Sequence, residues 1–264
     1  MTRKKSSERG RTVIYGVHPV VETLKAGRRR IDEVYLARGA AIPPVLRSLS
    51  ADSTLPLTHV SADDMRSLTG SPHHQGVAAR VGSFPYVDFE SIIEEPAPGR
   101  GPIILLDEVQ DPVNVGSILR SAECLGAQGV VLTKDRAAPV TPVAEKASAG
   151  ASAHVPVVRV VNLVRTIGLL KETGFWVYAA DSKGGDICYS VDLSGMIALV
   201  LGSEGKGLRR LVREECDLAV SIPMVGSIES LSVSQSASIL LADCLRRRME
   251  LHHETKQSAP SDIR

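Results

Sequence analysis

Hydrophobic and polar positions alternate along the chain with two different periods. Apolar runs of strand length lie at 103–106, 129–132, 175–180 and 196–201, and segments with an apolar residue every three or four positions lie between them. Strands separated by helices are typical of right-handed β-α-β units, so the pattern predicts an α/β fold with a mostly parallel sheet. In such sheets, ligands bind beyond the carboxyl ends of the strands.

The chain divides into two predicted domains. Residues 12–82 alternate between short strands and helices and form a small N-terminal α/β domain, and residues 101–250 form a larger one. Between them, residues 83–100 contain three prolines and several acidic residues, a composition typical of a linker. Residues 1–11 are predicted to be a disordered basic tail, and residues 251–264 a second tail.

Local signals indicate where several elements begin and end. Gly27 is expected to end a helix that starts near His18, and Ser61 is expected to cap another helix. In the N-terminal domain we predict further strands at 33–37, 55–60 and 76–81, and helices at 42–49 and 61–68. In the larger domain we predict further strands at 155–158 and 218–222, and helices at 114–125, 143–149 and 162–172.

The most informative part of the chain starts where the apolar run at 196–201 ends. Gly202, Gly205 and Gly207 bracket Glu204, and three glycines let the backbone turn sharply and lie against a ligand without a Cβ in the way. A carboxylate fixed in such a turn predicts a binding site. The alternative is that Glu204 only caps the helix that follows the turn.

A dense run of hydroxyl groups follows the next predicted strand. The serines in this run are Ser227, Ser230, Ser232, Ser234 and Ser236. Hydroxyls before an apolar-periodic segment are typical of a helix N-terminus, where backbone N–H groups lack partners. We therefore expect a carboxylate, free amides and hydroxyls to meet at two neighbouring strand ends.

Two more polar candidates follow the strand at 103–106. Asp111-Pro112 forces a turn, and the helix after it carries Asn114 and, six residues later, Arg120. This separation is less than two helical turns, so both side chains can lie near one end of the helix. Asn also caps helices well, and this structural role is the alternative for Asn114.

Charge is distributed unevenly along a chain whose formal net charge is only +1. Residues 1–82 hold 13 Lys or Arg and 7 Asp or Glu, and this excess favours an anionic partner for the N-terminal domain. Arg28, Arg29 and Arg30 follow a helix end there, and we predict that they bind phosphate groups. A solvated surface is the alternative. Aromatic residues make up only 3% of the chain, so platforms for base stacking are not evident.

Missing motifs exclude several kinds of site. GSEGKG is not a P-loop, because Gly207 rather than Ser or Thr follows Lys206, and Val200 occupies the position of the first glycine. We find no GxGxxG after the first strand of either domain, no GxSxG, and no histidine cluster for zinc. The four cysteines are far apart and are expected to be reduced. Without a secretory signal or an apolar run of membrane length, we expect a soluble cytoplasmic protein that needs no metal.

Three stretches of the larger domain resemble, in order and spacing, the motifs of SpoU-type (TrmH) RNA ribose 2′-O-methyltransferases of the SPOUT superfamily. They are LDEVQDPVNVGSILRSAECLGA, LVLGSEGKGL and SIPMVGSIESLSVSQSASILL. The N-terminal stretches IYGVHPVVETL and HHQGVAARV are similar to the substrate-binding domain of the branch that methylates guanosine in 23S rRNA. The resemblance implies a trefoil knot in the C-terminal domain, S-adenosylmethionine as cofactor, RNA as substrate, and a homodimer with its active site near the subunit boundary.

The resemblance also implies roles for individual residues. The residues that match the catalytic positions of the family are Asn114, Arg120, Glu204 and Ser230. The residues expected to hold S-adenosylmethionine are Leu201, Gly202, Gly207, Ile222 and Leu231. Arg28, Arg29 and Arg30 become candidates for RNA binding. One position departs from the family: Ser232 stands where Asn is usual, and its hydroxyl replaces the donor and acceptor of an amide.

The reaction implied by the resemblance transfers a methyl group to a ribose 2′-hydroxyl, with a guanosine of 23S rRNA as the expected target. Arg120 is expected to bind the neighbouring phosphate and stabilise the developing alkoxide, because a free guanidinium holds its proton too tightly to act as a base. Asn114 and Glu204 are expected to orient Arg120, the ribose or the adjacent loop. Ser230 is expected to hydrogen-bond the substrate. The alternatives are a tRNA methyltransferase and a catalytically silent RNA-binding relative.

Overall fold

The protein forms two α/β domains. A computed structural model describes residues 11–41, 43–51, 55–93, 101–182 and 184–257. The sheets of the two domains have four and seven strands. Of the predicted N-terminal tail, only Arg11 is among the described residues. The predicted C-terminal tail is described as far as Gln257. Ile42, the predicted start of a helix, also lies outside the described residues.

The N-terminal domain is a four-stranded sheet with helices on both faces. Its elements are β1 (Thr12–Tyr15), α1 (Val17–Ala26), β2 (Ile31–Ala37), α2 (Pro44–Ala51), β3 (Leu57–Val60), α3 (Ala62–Thr69) and β4 (Val77–Val81). The strand order is β1-β4-β2-β3, and β2 and β3 are the parallel pair. Val20 of α1 and Leu46 of α2 pack on one face of the sheet, and Met65 of α3 packs on the other.

Two local predictions in this domain are confirmed. Gly27 ends α1 in the left-handed conformation with φ of 62°, which a residue with a Cβ adopts with difficulty. Ser61 caps α3. Its hydroxyl accepts from the Asp64 N–H at 3.1 Å, and the Asp64 carboxylate accepts from the Ser61 N–H. These caps depend on adjacent residues only, which is why the sequence predicts them.

The larger domain is built on a fully parallel seven-stranded sheet in the order β7-β6-β5-β10-β8-β11-β9. Its elements are β5 (Ile103–Asp107), α4 (Pro112–Cys124), β6 (Gly129–Thr133), α5 (Pro142–Ala147), β7 (Val157–Val160), α6 (Leu163–Glu172), β8 (Trp176–Ala180), β9 (Asp186–Ile187), β10 (Ile197–Gly202), α7 (Arg210–Glu215), β11 (Leu218–Ser221) and α8 (Val233–Gln257). The predicted α/β fold with a parallel sheet is confirmed.

Helices bury both faces of this sheet. Ile104 and Leu106 of β5 point toward α4, α5 and α8, and Ile103 and Leu105 point toward α6 and α7. All four side chains are fully buried. A strand that is covered on both faces reads as a continuous apolar run, and this is the pattern by which β5 is recognised in the sequence.

The chain reverses its direction of travel across the sheet between β5 and β10. From β5 the sheet grows through β6 to β7 on one side, and β10 adds to the opposite side of β5. The carboxyl ends of the two strands meet, because Gly202 is paired with Asp107. A crevice forms at such a point, and ligands of open α/β sheets bind there. The trefoil knot is not tested by the strand order and stays a prediction.

The first half of the predicted linker packs against the larger domain. The Val87 N–H donates to the Val157 carbonyl at 2.9 Å, and Phe89 and Ile92 are buried in the core that also contains α6. Glu90–Ile92 forms a single helical turn. The apolar residues among the prolines and acids are therefore core residues. Residues 94–100, the rest of the predicted linker, lie outside the described residues.

The predicted role of Arg29 in RNA binding is corrected by the structure. Its guanidinium donates to both carboxylate oxygens of Glu145 on α5, at 2.9 and 3.0 Å, and its side chain is only 6% exposed. Arg29 therefore joins the two domains and is not available to a phosphate. Arg28, which donates to the His154 carbonyl, and Arg30, which pairs with Asp32, remain exposed.

Two further features differ from the sequence prediction. Strand β9 and the helical turn Cys188–Ser190 had no predicted counterpart, because two exposed strand residues carry no periodicity. Helix α8 continues to Gln257, past the start of the predicted tail at residue 251. Its last turns lie beyond the apolar positions from which the helix was predicted.

Candidate active site

A tight turn follows β10, and we call residues 202–207 the glycine turn. Ser203 and Gly207 form a β-bridge, with the Gly207 N–H donating to the Ser203 carbonyl at 2.9 Å. Gly205 and Gly207 have φ of 79° and 67°, which glycine adopts without strain. A Cβ on Gly202 would collide with the Gly207 backbone. The glycines predicted to shape a sharp turn therefore do so.

An ion pair between the exposed Arg209 and the buried Asp107 fixes the segment after this turn to β5. The Asp107 side chain is fully buried, and it accepts from the Arg209 backbone N–H at 2.9 Å and from the Arg209 guanidinium at 2.7 and 2.6 Å. The hydrogen bond to Asp107 raises the pKa of the Arg209 guanidinium further above its usual value. Sequence reasoning missed this pair, because the two residues lie 102 positions apart.

A cleft opens at this edge of the sheet. It has a volume of about 880 Å³, within the usual range for small-molecule sites, and it is bounded by the end of β8, the glycine turn and the loop between β11 and α8. The five residues predicted to hold the cofactor all line it: Leu201, Gly202, Gly207, Ile222 and Leu231. Glu204, Ser230 and Ser232 line it as well.

Unpaired backbone groups suit this cleft to a polar nucleoside. Residues 223–231 adopt no regular structure, and in the described chain they make no backbone–backbone hydrogen bond. Their C=O groups, and their N–H groups except at Pro223, are therefore free to pair with the edge of a base. Leu201, Ile222 and Leu231 add apolar surface beside these groups. This combination of donors, acceptors and apolar contacts fits S-adenosylmethionine.

Asn114 does not cap α4. The cap is Asp111, whose carboxylate accepts from the Val113 N–H at 3.0 Å. The Asn114 side chain reaches across the cleft edge instead: Nδ2 donates to Glu204 Oε1 at 2.8 Å, and Oδ1 accepts from the Ser234 hydroxyl at 2.7 Å. The capping alternative for Asn114 is therefore wrong, and so is that for Glu204, since the cap of α7 is Arg209.

Ser232 caps α8. Its hydroxyl accepts from the Gln235 N–H at 3.2 Å, and the Gln235 side chain accepts from the Ser232 N–H at 3.0 Å. This reciprocal pair is the S-x-x-Q capping box, a signal that could have located the start of the helix. Ser232 also lies 3.1 Å from the Ser234 hydroxyl. Ser234 was missed as a site residue, because nothing local distinguishes it from the other serines of the run.

Arg120 lies apart from the other predicted catalytic residues. It is exposed on α4, and it does not line the cleft of its own chain. Six residues of an α-helix advance about 9 Å and turn the side chain to another face. In the part of the chain that the structure describes, neither Asn114 nor Glu204 is a hydrogen-bond partner of Arg120. The structure thus brings together Asn114, Glu204 and Ser230, and leaves Arg120 outside.

Potential metal ligands do not cluster among the described residues, and two of the cysteine thiols have raised pKa values. Among the described residues, no group of three or more His, Cys, Asp or Glu is placed to hold a metal ion. Burial raises the pKa of Cys216 and of Cys244 to about 12, so both thiols stay protonated at neutral pH. No helix within the described ranges is long and apolar enough to cross a bilayer.

Comparison with protein-family models decides the family. Residues 101–242 match the SpoU rRNA Methylase family, and residues 13–87 match the family described as RNA 2'-O ribose methyltransferase substrate binding. The chain belongs to the SpoU rRNA methylase family. The resemblance of the three motifs is thereby confirmed, and the two matched regions correspond to the two domains of the structure.

Related proteins agree with this assignment. A putative TrmH family tRNA/rRNA methyltransferase of Staphylococcus aureus (strain COL) is 36% identical over 245 residues, covering 91% of this chain and 98% of that protein. The 23S rRNA (guanosine-2'-O-)-methyltransferase RlmB of Xanthomonas campestris pv. campestris is 38% identical over 241 residues, covering 89% of this chain and 96% of that protein.

A solved structure supports the fold and the cofactor. The SpoU methyltransferase AviRb from Streptomyces viridochromogenes, in complex with AdoMet, has a TM-score of 0.77 and 26% identity, covering 94% of each chain. SpoU methyltransferases use S-adenosylmethionine, as the resemblance implied, and this chain is a member of that family of RNA methyltransferases.

Proposed function

We propose that this SpoU-family protein transfers a methyl group from S-adenosylmethionine to the ribose 2′-hydroxyl of a guanosine in 23S rRNA. The observation that supports it most is the cleft at the β5–β10 switch point, where all five predicted cofactor residues meet the Asn114–Glu204 pair. The relative RlmB, which is named for this reaction, supports 23S rRNA as the target.

The cofactor would be held by the glycine turn and by the loop between β11 and α8. S-adenosylmethionine supplies a methyl group activated by the positive charge on its sulfur, so the protein's task is to align the acceptor and accommodate its proton. Gly202 and Gly207 allow close approach of the backbone. Ile222 and Leu231 provide the apolar surface.

Glu204 and Asn114 would act on the 2′-hydroxyl. The Asn114 amide holds Glu204 Oε1, and among the described residues no donor reaches Glu204 Oε2. That oxygen is therefore open to accept a hydrogen bond from the ribose 2′-hydroxyl. This hydrogen bond would orient a lone pair of the 2′-oxygen toward the methyl group. Ser230, exposed at the cleft rim, would bind the substrate.

Arg120 would complete the site of a second subunit in a homodimer. It is exposed on α4, away from the cleft of its own chain, which agrees with an active site at a subunit boundary. There its guanidinium would bind the phosphate beside the target ribose and stabilise the developing alkoxide. In a two-fold dimer the contribution is reciprocal, so each subunit supplies one arginine and one cleft.

Mixed dimers test this arrangement. Arg120→Ala and Glu204→Ala subunits with different affinity tags are each expected to be inactive as homodimers. The purified mixed dimer should regain about half of wild-type activity, because one of its two sites is intact. If Arg120 serves its own chain, the mixed dimer stays inactive.

The substrate is tested with labelled S-adenosylmethionine and RNA from cells that lack the gene. We expect label in 23S rRNA, recovered as 2′-O-methylguanosine after digestion. Label in tRNA would favour the tRNA methyltransferase, and the absence of label in any RNA would favour the catalytically silent relative.

A further inference from the structure

A chain of side-chain hydrogen bonds connects the start of α8 to the carboxylate of the glycine turn. From α8 outward, its contacts are Ser232 Oγ to Ser234 Oγ at 3.1 Å, Ser234 Oγ to Asn114 Oδ1 at 2.7 Å, and Asn114 Nδ2 to Glu204 Oε1 at 2.8 Å. Ser232 caps α8, Ser234 lies in the first turn of α8, Asn114 lies on α4, and Glu204 lies in the turn after β10. Three elements that are distant in sequence are therefore joined at one edge of the cleft.

In this series of hydrogen bonds, every donor points toward Glu204. An ionised carboxylate only accepts, so the Asn114 amide presents Nδ2 to it and turns Oδ1 toward Ser234. Ser234 donates its only hydroxyl proton to Asn114 Oδ1, so its oxygen must accept the hydrogen bond from Ser232. The hydroxyl proton of Ser232 is available for this bond, because the Ser232 oxygen accepts from the Gln235 N–H of the capping box and does not need its own proton there. The direction of each bond follows from its neighbour.

Ser234 holds the otherwise unfixed end of Asn114. Without its hydroxyl, the amide keeps a single bond, to an exposed carboxylate on a turn, and the side chain can leave its rotamer. Asn114 and Ser234 are both half-buried, so water replaces the lost bond less well than at an open surface.

We propose that Ser234 is a positioning residue of the methyl-transfer site, which fixes the Asn114 amide, and through it the Glu204 carboxylate, by a hydroxyl that Ser232 orients. The inference rests on the proposed function for its effect on catalysis. It also gives a role to the serine at position 232, where the family usually has Asn. A hydroxyl at this position suffices to cap α8 and donate to Ser234.

Three variants test the proposal. Ser234→Ala removes the hydroxyl, and Ser234→Thr retains it. Ser238→Ala is the matched control: it lies one turn along α8, and its hydroxyl bonds to the Ser234 carbonyl and to Ser121 without touching Asn114. We expect Ser234→Ala to lower kcat about tenfold or more, because a small misplacement of a reacting group has this effect. KM for S-adenosylmethionine should change less than about twofold in all three variants, and kcat should stay near wild type in Ser234→Thr and Ser238→Ala.

A second measurement reads the positioning without turnover. The Asn114 side-chain amide protons, assigned by NMR, should show the shift of a bond to a carboxylate in wild type, Ser234→Thr and Ser238→Ala, and should approach free-amide values in Ser234→Ala. Wild-type kcat in Ser234→Ala, an equal loss in Ser238→Ala, or free-amide shifts in the wild-type protein would overturn the proposal. A wild-type protein with the expected shifts but no methyl transfer would refute the proposed function and leave the positioning role standing.

Discussion

Asn114 has one side-chain amide and two partners, and together these partners determine what it can do. Its amide donates one N–H to Glu204 and accepts a hydrogen bond from Ser234, so both ends of the amide are held in place before any substrate arrives. Glu204 differs, since one of its oxygens is held and the other is open in the described structure. The open acceptor at the cleft is therefore on Glu204, and Asn114 supports it.

Arg120→Ala tests the division between cofactor binding and catalysis. Because Arg120 lies outside the cleft, we expect the variant to keep its affinity for S-adenosylmethionine within a few-fold, as measured by isothermal titration. Methyl transfer to RNA should fall by about a hundredfold or more, since a group that stabilises developing charge is lost.

The control for this variant is Arg165→Ala, which removes an exposed arginine from α6 on the opposite face of the sheet. It should match wild type in both assays. Near-wild-type turnover by Arg120→Ala, or loss of cofactor affinity equal to its loss of turnover, would contradict the assigned role.

At the scale of elements, the site depends on where the helices cross. Helix α4 approaches α5 at Gly116, where a Cβ would collide with the Ala144 carbonyl and the Ala147 side chain. Gly116 lies two residues after Asn114, so this crossing also sets the position of the Asn114 side chain.

Gly116→Ala tests the crossing against a matched helix glycine. The added methyl has no space, so we expect the free energy of unfolding to fall by about 1–3 kcal/mol in urea denaturation. Gly168→Ala on α6 adds the same methyl where, in the described chain, no atom beyond the neighbouring residues and the helix's own backbone lies within 4 Å, and the gain in helix propensity should stabilise the protein by about 0.5–1 kcal/mol. Equal effects of the two substitutions would contradict the steric account.

The elements themselves follow from the sequence where a local signal exists. Gly27 and Ser61 predicted helix boundaries correctly, and the apolar stripe of α8 predicted its buried face but not its end, because capping and periodicity depend on residues within a few positions. Asn114 was ambiguous, since both it and Asp111 are good caps and only the contact with Glu204, 90 residues away, separates the two roles. Strand β9 left no pattern to recognise.

At the scale of the whole molecule, a seam of charged contacts joins the two domains. Arg29 pairs with Glu145, Lys146 donates to Gln75 at 2.7 Å, and His154 lies 2.9 Å from Glu22. The three consecutive arginines 28–30 suggested phosphate binding, because a sequence shows charge but not burial. Glu145, the partner of Arg29, lies 116 residues away. The knot and the dimer likewise came only from resemblance, since no local pattern encodes either.

Arg29→Ala should destabilise the protein in a pH-dependent way. Burial raises the pKa of Glu145 and Arg29 opposes this rise, so removing Arg29 raises it further. The unfolded chain releases the Glu145 proton near its ordinary pKa of 4.5, so the folded variant loses stability as pH rises from there to the higher folded pKa. We expect a loss of about 3 kcal/mol near neutral pH and a smaller loss near pH 5, measured by urea denaturation.

Arg30→Ala is the control, because Arg30 is 80% exposed and Asp32, which is 14% exposed, keeps a second cationic partner in Arg11. It should change the unfolding free energy little at either pH. A loss in Arg29→Ala that is constant with pH would show that Glu145 does not carry the effect.

Substitution of the two exposed arginines among residues 28–30 tests the predicted RNA-binding surface of the N-terminal domain. If Arg28 and Arg30 each contact a phosphate, replacing both with Ala weakens RNA binding and lowers the slope of log K against log salt by about 1–2. Fluorescence anisotropy over a salt series measures this slope, with Arg165→Ala, which removes one positive charge from the other domain, as the control. An unchanged slope would show that neither arginine contacts the RNA backbone.

The central claim is that one cleft at the β5–β10 switch point holds the methyl donor beside the Asn114–Glu204 pair. A crystal structure of the protein with S-adenosylmethionine tests it most directly. We expect the adenosine to lie against the backbone of Gly202, Ile222 and Leu231, with the sulfonium methyl on the side of Glu204. A cofactor bound elsewhere, or bound with its methyl group turned away from Glu204, would contradict it.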